Sequence, residues 1–272
     1  MTPRILQILL FGLLFDQARL LAQNDFRSGI TYNELPSLIQ DRKRTVLSIE
    51  ALRYGDEIDK VNPIPLGSGF LTIISGKQYA VTNYHVANSL ERNQRILVGV
   101  NLKQGKLFIV ASIIAVDSIG DIAILGLTDS WLSKTTIPSG DIHLDQASIG
   151  VSTYSDTTEF QQGQGVVLLG FPLAIGSESF HNQPIARIGI IALATDPSSE
   201  FLIDGIASHG NSGSPVFDAT GGKLLGMVVG FPSDYISAFD ENKQLIARLP
   251  YNSGLSVCVS SRRILKLITS IH

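Results

Sequence analysis

Residues 210–215, with the sequence Gly-Asn-Ser-Gly-Ser-Pro, are the most informative stretch of this chain. They place Ser212 on a glycine-rich turn between two hydrophobic runs that are typical of β-strands. Gly210 and Gly213 allow backbone angles and close approaches that a Cβ atom would hinder. A serine hydroxyl is a poor nucleophile alone and needs a base to take its proton. The Gly-Asn-Ser-Gly sequence also occurs in ordinary turns, so a catalytic role for Ser212 depends on a base and a carboxylate elsewhere in the chain.

Candidates for that base and for a carboxylate lie upstream. His85 follows the strand-like run at residues 79–82, and Asp121 directly precedes the apolar run at residues 122–125. In a catalytic triad the histidine takes the serine proton, while a buried carboxylate fixes its tautomer and stabilises its cation. Asp117 is a rival for the carboxylate role, but no apolar strand directly follows it. We therefore predict His85 as general base and acid and Asp121 as the carboxylate that orients it.

This order of histidine, aspartate and serine, in these contexts, resembles that of the chymotrypsin-type serine peptidases, especially the bacterial HtrA-like branch of trypsin-like peptidases. The resemblance extends from about Val46 to Ile268. It implies a serine endopeptidase that hydrolyses polypeptides through an acyl-enzyme at Ser212. It also implies an oxyanion hole formed by the backbone N–H groups of Gly210 and Ser212. A relative with weak or no activity, which binds peptides in the same cleft, is the alternative.

Two residues beside the serine differ from parts of that family. In relatives activated from zymogens, an aspartate at the position of Asn211 pairs with a newly cut N-terminus, and asparagine cannot form that ion pair. The resemblance therefore implies no activation by N-terminal insertion. Ser214 stands where the family usually has a second glycine. If the backbone there requires a glycine-only conformation, serine would strain it, but we expect the substitution to be tolerated.

The rest of the chain predicts an all-β fold. Short hydrophobic runs separated by glycine turns indicate barrels or a sandwich, and the resemblance implies two six-stranded antiparallel β-barrels. We expect the first barrel in residues 42–140 and the second in residues 141–272, with a crossing linker at residues 128–155. Apolar residues at helical spacing predict a C-terminal helix over residues 262–271. We expect residues 231–253 to form a long polar surface loop, and we expect no PDZ module after the helix.

The resemblance also implies where the side chain before the cut bond would bind. Its pocket would be formed by seven residues, namely Ile206, Ala207, Ser208, His209, Val228, Val229 and Gly230. His209 would lie at the mouth, and residues 228–230 would supply an edge that pairs with the substrate. None of these residues is acidic, so a preference for lysine or arginine is not supported. We expect a small or medium apolar residue before the cut bond. His209 is either an exposed loop residue or a substrate contact that makes activity pH-sensitive.

The first 22 residues have the pattern of a signal peptide. Arg4 supplies a positive charge, residues 5–15 form an apolar run, and Ala22 ends a tolerable cleavage site. We therefore expect export to the periplasm or secretion, with an uncleaved membrane anchor or a buried helix as alternatives. Residues 23–41 would then be an N-terminal lead-in. No later segment has the roughly 18 consecutive apolar residues that suggest a membrane span.

Composition limits the partners and cofactors that we expect. The chain has 272 residues, 44% hydrophobic and 17% charged, with a net charge of −3, which gives no reason to expect nucleic-acid binding. Cys258 is the one cysteine, so no intramolecular disulfide can form. Histidine, cysteine and carboxylate residues show no spacing typical of a metal site, so we predict no metal and no cofactor. The oligomeric state is left open.

Overall fold

The structure is a computed structural model that describes residues 34–102, 105–133, 148–150, 153–155, 160–172, 183–194, 199–240 and 242–271. The described strands are β1 (Val46–Arg53), β2 (Ile64–Ile74), β3 (Lys77–Thr82), β4 (Gln94–Leu102), β5 (Gly105–Asp117), β6 (Ile122–Ser133), β7 (Ile149–Gly150), β8 (Gly165–Gly170), β9 (Ile185–Leu193), β10 (Glu200–Asp204), β11 (Pro215–Asp218), β12 (Leu224–Gly230), β13 (Ser233–Phe239), β14 (Leu245–Asn252) and β15 (Leu255–Ser260). The helices are α1 (Leu35–Arg42), α2 (Tyr84–Ala87) and α3 (Ser261–Thr269), and a 3₁₀ turn at Lys43–Thr45 follows α1.

The first half of the chain forms a ring of six antiparallel strands. Their order is β1-β4-β5-β6-β3-β2, and pairing between β1 and β2 closes the ring. The short strand β7 extends the same sheet by pairing in parallel with β2. Apolar side chains such as Leu47, Ile49 and Val98 fill the interior of the ring. The observed strands fall within residues 42–140, the range predicted for the first barrel, except for β7.

The second half forms a closed barrel with the strand order β10-β15-β12-β11-β8-β9. Its interior is a separate cluster of buried side chains that includes Val166, Phe201 and Val216. Cys258 belongs to this cluster and is fully buried as a free thiol. Burial raises the pKa of this thiol far above its ordinary value, so Cys258 is an inert core residue.

A third core joins the two barrels and the C-terminal helix. Alternate residues of β6 face opposite sides: Ala123 and Leu125 line the first barrel, whereas Ile122 and Ile124 pack in the shared core. Ile264 and Ile268 of α3 are buried in that shared core. The prediction of two six-stranded barrels with a C-terminal helix is therefore confirmed.

Residues 231–253 were expected to form a polar loop, and that prediction is wrong. Strands β13 and β14 form an antiparallel hairpin that covers most of this segment. Large apolar side chains on the hairpin are exposed, and they include Tyr235, Ile236, Phe239, Leu245, Ile246 and Leu249. Burial does not alternate along β13, because neither face of this two-stranded sheet packs in a core.

The lead-in before the first barrel also contains structure that the sequence did not predict. Helix α1 begins with a proline in its first turn, a position that proline favours. The guanidinium of Arg42, at the end of this helix, lies 5.7 Å from the ring centroid of Phe217. Burial lowers the pKa of Arg42, so this residue packs α1 against the second barrel.

The predicted signal peptide, residues 1–22, lies outside the described residues, as does most of the predicted linker. Among the residues that are described, no helix is long and apolar enough to cross a membrane.

Candidate active site

Three local structures bring the predicted catalytic residues to the junction between the barrels. His85 lies in α2, the short helix that follows β3, and Asp121 directly precedes β6. Because β3 and β6 are paired neighbours in the first barrel, their ends hold these two residues side by side. Ser212 lies on the turn between β10 and β11, so the second barrel supplies it.

His85 and Asp121 are joined by two hydrogen bonds. The ring Nδ1 of His85 lies 2.6 Å from Oδ2 of Asp121, and the backbone N–H of His85 donates to Oδ1 at 2.8 Å. The carboxylate side chain is 20% exposed and the imidazole 52% exposed, so solvent or a substrate reaches the ring. Within the described part of the chain Nε2 makes no hydrogen bond. This geometry leaves Nε2 as the ring nitrogen that can exchange a proton with a ligand.

The backbone of Asp121 is held in an uncommon conformation. Its φ of 52° lies in the left-handed region, which aspartate tolerates better than most residues. Its carbonyl accepts hydrogen bonds from the side chain of Asn83 at 2.9 Å and from the backbone N–H of Tyr84 at 3.2 Å. These bonds hold the turn and the start of α2 together, so Asp121 and His85 keep a fixed relation.

Asp117, the rival carboxylate, has a different role in the fold. It accepts hydrogen bonds from Nε of Arg263 at 2.6 Å and from Nη2 at 3.1 Å. It also accepts from two backbone N–H groups of its own turn, one of them that of Gly120. The hydrogen bond from Arg263 is the main reason why the pKa of Asp117 lies below its ordinary value. The structure thus brings Asp121, and not Asp117, against His85.

The turn that carries Ser212 depends on its two glycines. Gly210 and Gly213 have φ values of 90° and 87°, which residues with a side chain rarely adopt. A Cβ atom on Gly213 would also lie 1.9 Å from the carbonyl oxygen of Ser68. The Oγ of Ser212 donates a hydrogen bond to the carbonyl of Val229 at 3.3 Å, so its proton is not directed at His85 here.

Ser68 of β2, which was not among the predicted site residues, fixes this turn from the first barrel. Its Oγ donates to the carbonyl of Gly210 at 2.7 Å, and its backbone N–H donates to the carbonyl of Ser212 at 2.8 Å. The same Oγ accepts a hydrogen bond from the N–H of Phe171 at 2.9 Å. The signal available in the sequence was a serine between Gly67 and Gly69 at the start of an apolar strand.

The predicted oxyanion donors are free within this arrangement. Among the described residues, the N–H groups of Gly210 and Ser212 donate to no acceptor, whereas the carbonyls of both residues are bound to Ser68. Gly210, Ser212 and His85 line one cavity of about 410 Å³. A carbonyl group that entered this cavity could therefore meet the two backbone N–H donors, the hydroxyl of Ser212 and the imidazole of His85.

Ser214, which replaces the usual glycine, is not strained. Among the described residues, positive φ outside glycine occurs at Ser75, Asp121 and Lys243, and so not at Ser214. Its side chain fits because it lies against Gly170, where a Cβ atom would come within 1.9 Å of the serine Oγ. That Oγ is buried and has no hydrogen-bond partner within the part of the chain that the structure describes.

The residues predicted for the specificity pocket are dispersed. Ala207 and Val228 are buried in the core of the second barrel, whereas Ile206 is 56% exposed and lines a different groove with Arg187. Ser208 has a buried Oγ without a hydrogen-bond partner. Val229 and Gly230 are half-buried on β12, and the carbonyl of Val229 contacts Ser212. His209 lines the cavity of Ser212, and its ring lies 6.0 Å from that of Phe231.

The described residues contain no group of three or more histidine, cysteine or carboxylate side chains that could hold a metal ion. The groups that the described residues do supply at this site are a hydroxyl, an imidazole–carboxylate pair and backbone N–H donors.

Comparisons with known proteins agree with the fold. A family model described as a trypsin-like peptidase domain matches residues 67–227, which include all three predicted catalytic residues. Among solved structures the chain is similar to the HtrA-type protease AlgW with decapeptide, at 16% sequence identity and a TM-score of 0.57. That match covers 87% of this chain and 67% of the other, and at this identity it supports the fold alone. No curated protein matches the sequence.

Proposed function

This chain belongs to the family of trypsin-like peptidase domains, and we propose that it is a serine endopeptidase that cleaves polypeptides through an acyl-enzyme at Ser212. One observation carries the proposal: the imidazole of His85 is bound to Asp121 at 2.6 Å and shares one cavity with Ser212. The similar HtrA-type protease was determined with a decapeptide, which supports polypeptides as the class of substrate.

In the proposed acylation step, Oγ of Ser212 attacks the carbonyl carbon of the peptide bond while its proton passes to Nε2 of His85. Before this step the hydroxyl must turn from the carbonyl of Val229 towards the imidazole. Asp121 keeps the Nδ1–H tautomer in place and stabilises the imidazolium that forms. The carbonyl oxygen becomes an oxyanion that the N–H groups of Gly210 and Ser212 bind, and each such donor contributes about 10²- to 10³-fold in rate.

The tetrahedral intermediate then breaks its carbon–nitrogen bond. His85 gives the proton to the leaving amine, and the acyl group stays on Ser212. Water next attacks the ester with His85 again as base, and the release of a carboxylic acid restores the serine. On the acyl side, the half-buried Val229 and Gly230 would pair with the substrate backbone as an added strand.

A non-catalytic relative that binds peptides in this cleft is a second candidate function. The observation that favours it is the hydrogen bond from Ser212 to Val229, because a hydroxyl in that position is not activated by His85. Both functions use the same cleft, so a test must follow the chemistry at Ser212 itself.

A fluorophosphonate probe, which reacts with activated serines, provides that test. We expect the protein to be labelled, with the mass adduct on the peptide that contains Ser212, and Ser212→Ala to take no label. His85→Ala should lower peptide hydrolysis by several orders of magnitude, as triad losses do elsewhere. A wild-type protein that is folded by circular dichroism and yet takes no label would favour the peptide-binding function.

The proposal extends to export, on the evidence of the N-terminal sequence. The positive residue, apolar run and small residue within residues 1–22 are the pattern of a cleaved signal peptide. Expression in a bacterium, followed by fractionation and N-terminal sequencing, should yield a periplasmic or secreted chain that begins at Gln23. A chain that retains residues 1–22 in the membrane fraction would indicate an anchor.

A further inference from the structure

The cavity beside Ser212 extends to one side of the catalytic residues. It is lined there by Ser48 and Glu50 of β1, by Pro65 and Leu66 of β2, and by Phe171. The residues of β12 that would pair with the acyl part of a substrate do not line it. His85, which would give its proton to the leaving amine, forms part of its wall. If the proposed function holds, this side of the cavity therefore receives the residues that follow the cut bond.

Glu50 is an unusual residue for such a wall. It lies in β1, a strand whose first seven residues are all buried. Its carboxylate Oε1 accepts a hydrogen bond from Oγ of Ser48 at 2.7 Å and forms an ion pair with Nζ of Lys106. The side chain of Glu50 is 4% exposed and that of Lys106 is 7% exposed. Among the described residues, no donor binds Oε2 of Glu50, so the carboxylate retains capacity to accept hydrogen bonds.

Lys106 pairs with Glu50 but is not itself among the residues that line the cavity. Its ammonium lies 5.1 Å from the ring centroid of Phe108 and 5.8 Å from that of Phe171. Both distances are within the range of cation–π attraction. The lysine therefore neutralises Glu50 without lining the cavity, and Ser48 and Glu50 are the polar residues that β1 contributes to the cavity wall.

Stability does not explain this pair. Two charges lose most of their hydration when they are buried, and apolar residues of similar volume are often as stable or more stable in their place. Glu50 is a buried charge on β1, a strand whose other buried residues are uncharged. Its position in the wall of the catalytic cavity points instead to recognition of a ligand.

We propose that this cavity binds the side chain of the first or second residue after the cut bond, and that it selects uncharged side chains that donate a hydrogen bond. Serine, threonine, asparagine and glutamine can donate to Glu50 while their carbon atoms pack on Leu66 and Phe171. An acidic side chain would bring a second carboxylate to Glu50, the one acidic residue of the cavity lining. A lysine or arginine would bring a second cation to a carboxylate that Lys106 already neutralises.

The test is a cleavage profile of peptide libraries varied at these two positions. Matched pairs isolate the hydrogen bond, because threonine and valine, or asparagine and leucine, have similar shapes. We expect the donor of each pair to be preferred by at least about fivefold at one position, since an unpaired buried acceptor is costly. We also expect aspartate to be rejected by at least about tenfold relative to asparagine. Equal cleavage of the members of each pair, or a preference for valine and leucine, would overturn the inference.

Glu50→Gln tests the assigned residue. The amide keeps the size of the side chain but also donates hydrogen bonds, so the rejection of aspartate relative to asparagine should largely disappear. Glu57→Gln is the matched control, because the side chain of Glu57 is 61% exposed and its partner is the surface residue Lys60. If Glu50→Gln does not fold because Lys106 loses its partner, Glu50→Met/Lys106→Met removes both charges and the acceptor, and it should lose the preference for threonine over valine. An unchanged profile in a folded variant would remove Glu50 from the site.

Failure of the proposed function is distinguishable from failure of this inference. Fluorophosphonate labelling reports the chemistry at Ser212 and does not involve the cavity wall near Glu50. If the protein takes no label, binding of Ser212→Ala to an array of the same matched peptides measures the preference without cleavage. Selective binding of the donor peptides would then support the cavity assignment in a non-catalytic protein, and equal binding of both members would overturn it.

Discussion

Ser68 connects the first barrel to the turn that would form the oxyanion hole. Its hydroxyl binds the carbonyl of Gly210, and loss of that bond would free the peptide unit that follows Gly210 and so loosen the backbone that presents the Gly210 N–H to the cavity. We expect Ser68→Ala to lower kcat by about ten- to 100-fold with little change in KM, because donors in an oxyanion hole act mainly on the transition state. Steady-state hydrolysis of one peptide measures both constants.

A control is needed because Ser68 is buried and its loss also affects stability. Ser237→Ala makes the same change on the exposed hairpin and should alter neither kcat nor the free energy of unfolding. If Ser68→Ala is destabilised but retains the wild-type kcat at a temperature where it is folded, Ser68 is a structural residue and does not position the oxyanion donors.

Ser214→Ala, in contrast to Ser68→Ala, should stabilise the protein. Its Oγ is buried and finds no partner among the described residues, so the folded state has lost the hydration of this hydroxyl without gaining a bond from them. Ser214→Ala should therefore raise the free energy of unfolding by about 1 kcal/mol, as measured by urea denaturation. Ser214→Gly should lie below Ser214→Ala by about 0.5–1 kcal/mol, since glycine loses more backbone entropy on folding. A destabilised Ser214→Ala would reveal a partner for the hydroxyl.

At the scale of elements, helix α3 supports the turn that carries Asp121. Arg263 of α3 binds both oxygens of Asp117, at the start of that turn. A Cβ atom on Gly120 would lie 2.4 Å from Nε of Arg263, so the guanidinium packs directly on the turn. The C-terminal helix thus contributes to the orientation of a carboxylate that belongs to the first barrel.

The Asp117–Arg263 pair predicts a loss of stability in acid. The pKa of Asp117 in the folded protein is below its ordinary value, chiefly because Arg263 donates to the carboxylate. The pair therefore stabilises the fold above the pKa of the unfolded chain, about 4, and this stabilisation is lost as the pH falls through the lower folded pKa. We expect wild type to be more stable than Asp117→Asn at pH 7 and the difference to shrink below about pH 4. Urea denaturation at several pH values measures this, and a constant difference would contradict the linkage.

The elements differ in how far the sequence predicts them. Runs such as residues 122–125 are predictable because every residue is buried, with alternate side chains in two cores. The hairpin β13–β14 was missed because both of its faces are exposed to solvent and its apolar residues do not pack in a core. His85, Asp121 and Ser212 are predictable from the short patterns around them. Ser68 contacts a turn of the other barrel, and Glu50 lines a cavity with residues that are distant in the sequence. The sequence alone does not show which distant residues come together.

At the scale of the whole molecule, the shared core should make the two barrels unfold together. Ile122 of the first barrel, Met227 of the second and Ile264 of α3 belong to one buried cluster. The chain offers one reporter in each barrel. Trp131, the single tryptophan, lies on β6, and Cys258, the single cysteine, is buried on β15. Tryptophan fluorescence and thiol reactivity in urea should therefore give the same free energy of unfolding.

Ile264→Ala tests this cooperativity. The side chain is fully buried, so its truncation should lower the free energy of unfolding by about 2–5 kcal/mol. If the barrels are one cooperative unit, both reporters should shift by the same amount, although the substitution lies in the helix and in neither barrel. Leu245→Ala on the exposed hairpin is the matched control and should shift neither by more than about 0.5 kcal/mol. A shift seen by Cys258 alone would mean that the second barrel opens independently, which would separate Ser212 from His85 without unfolding the first barrel.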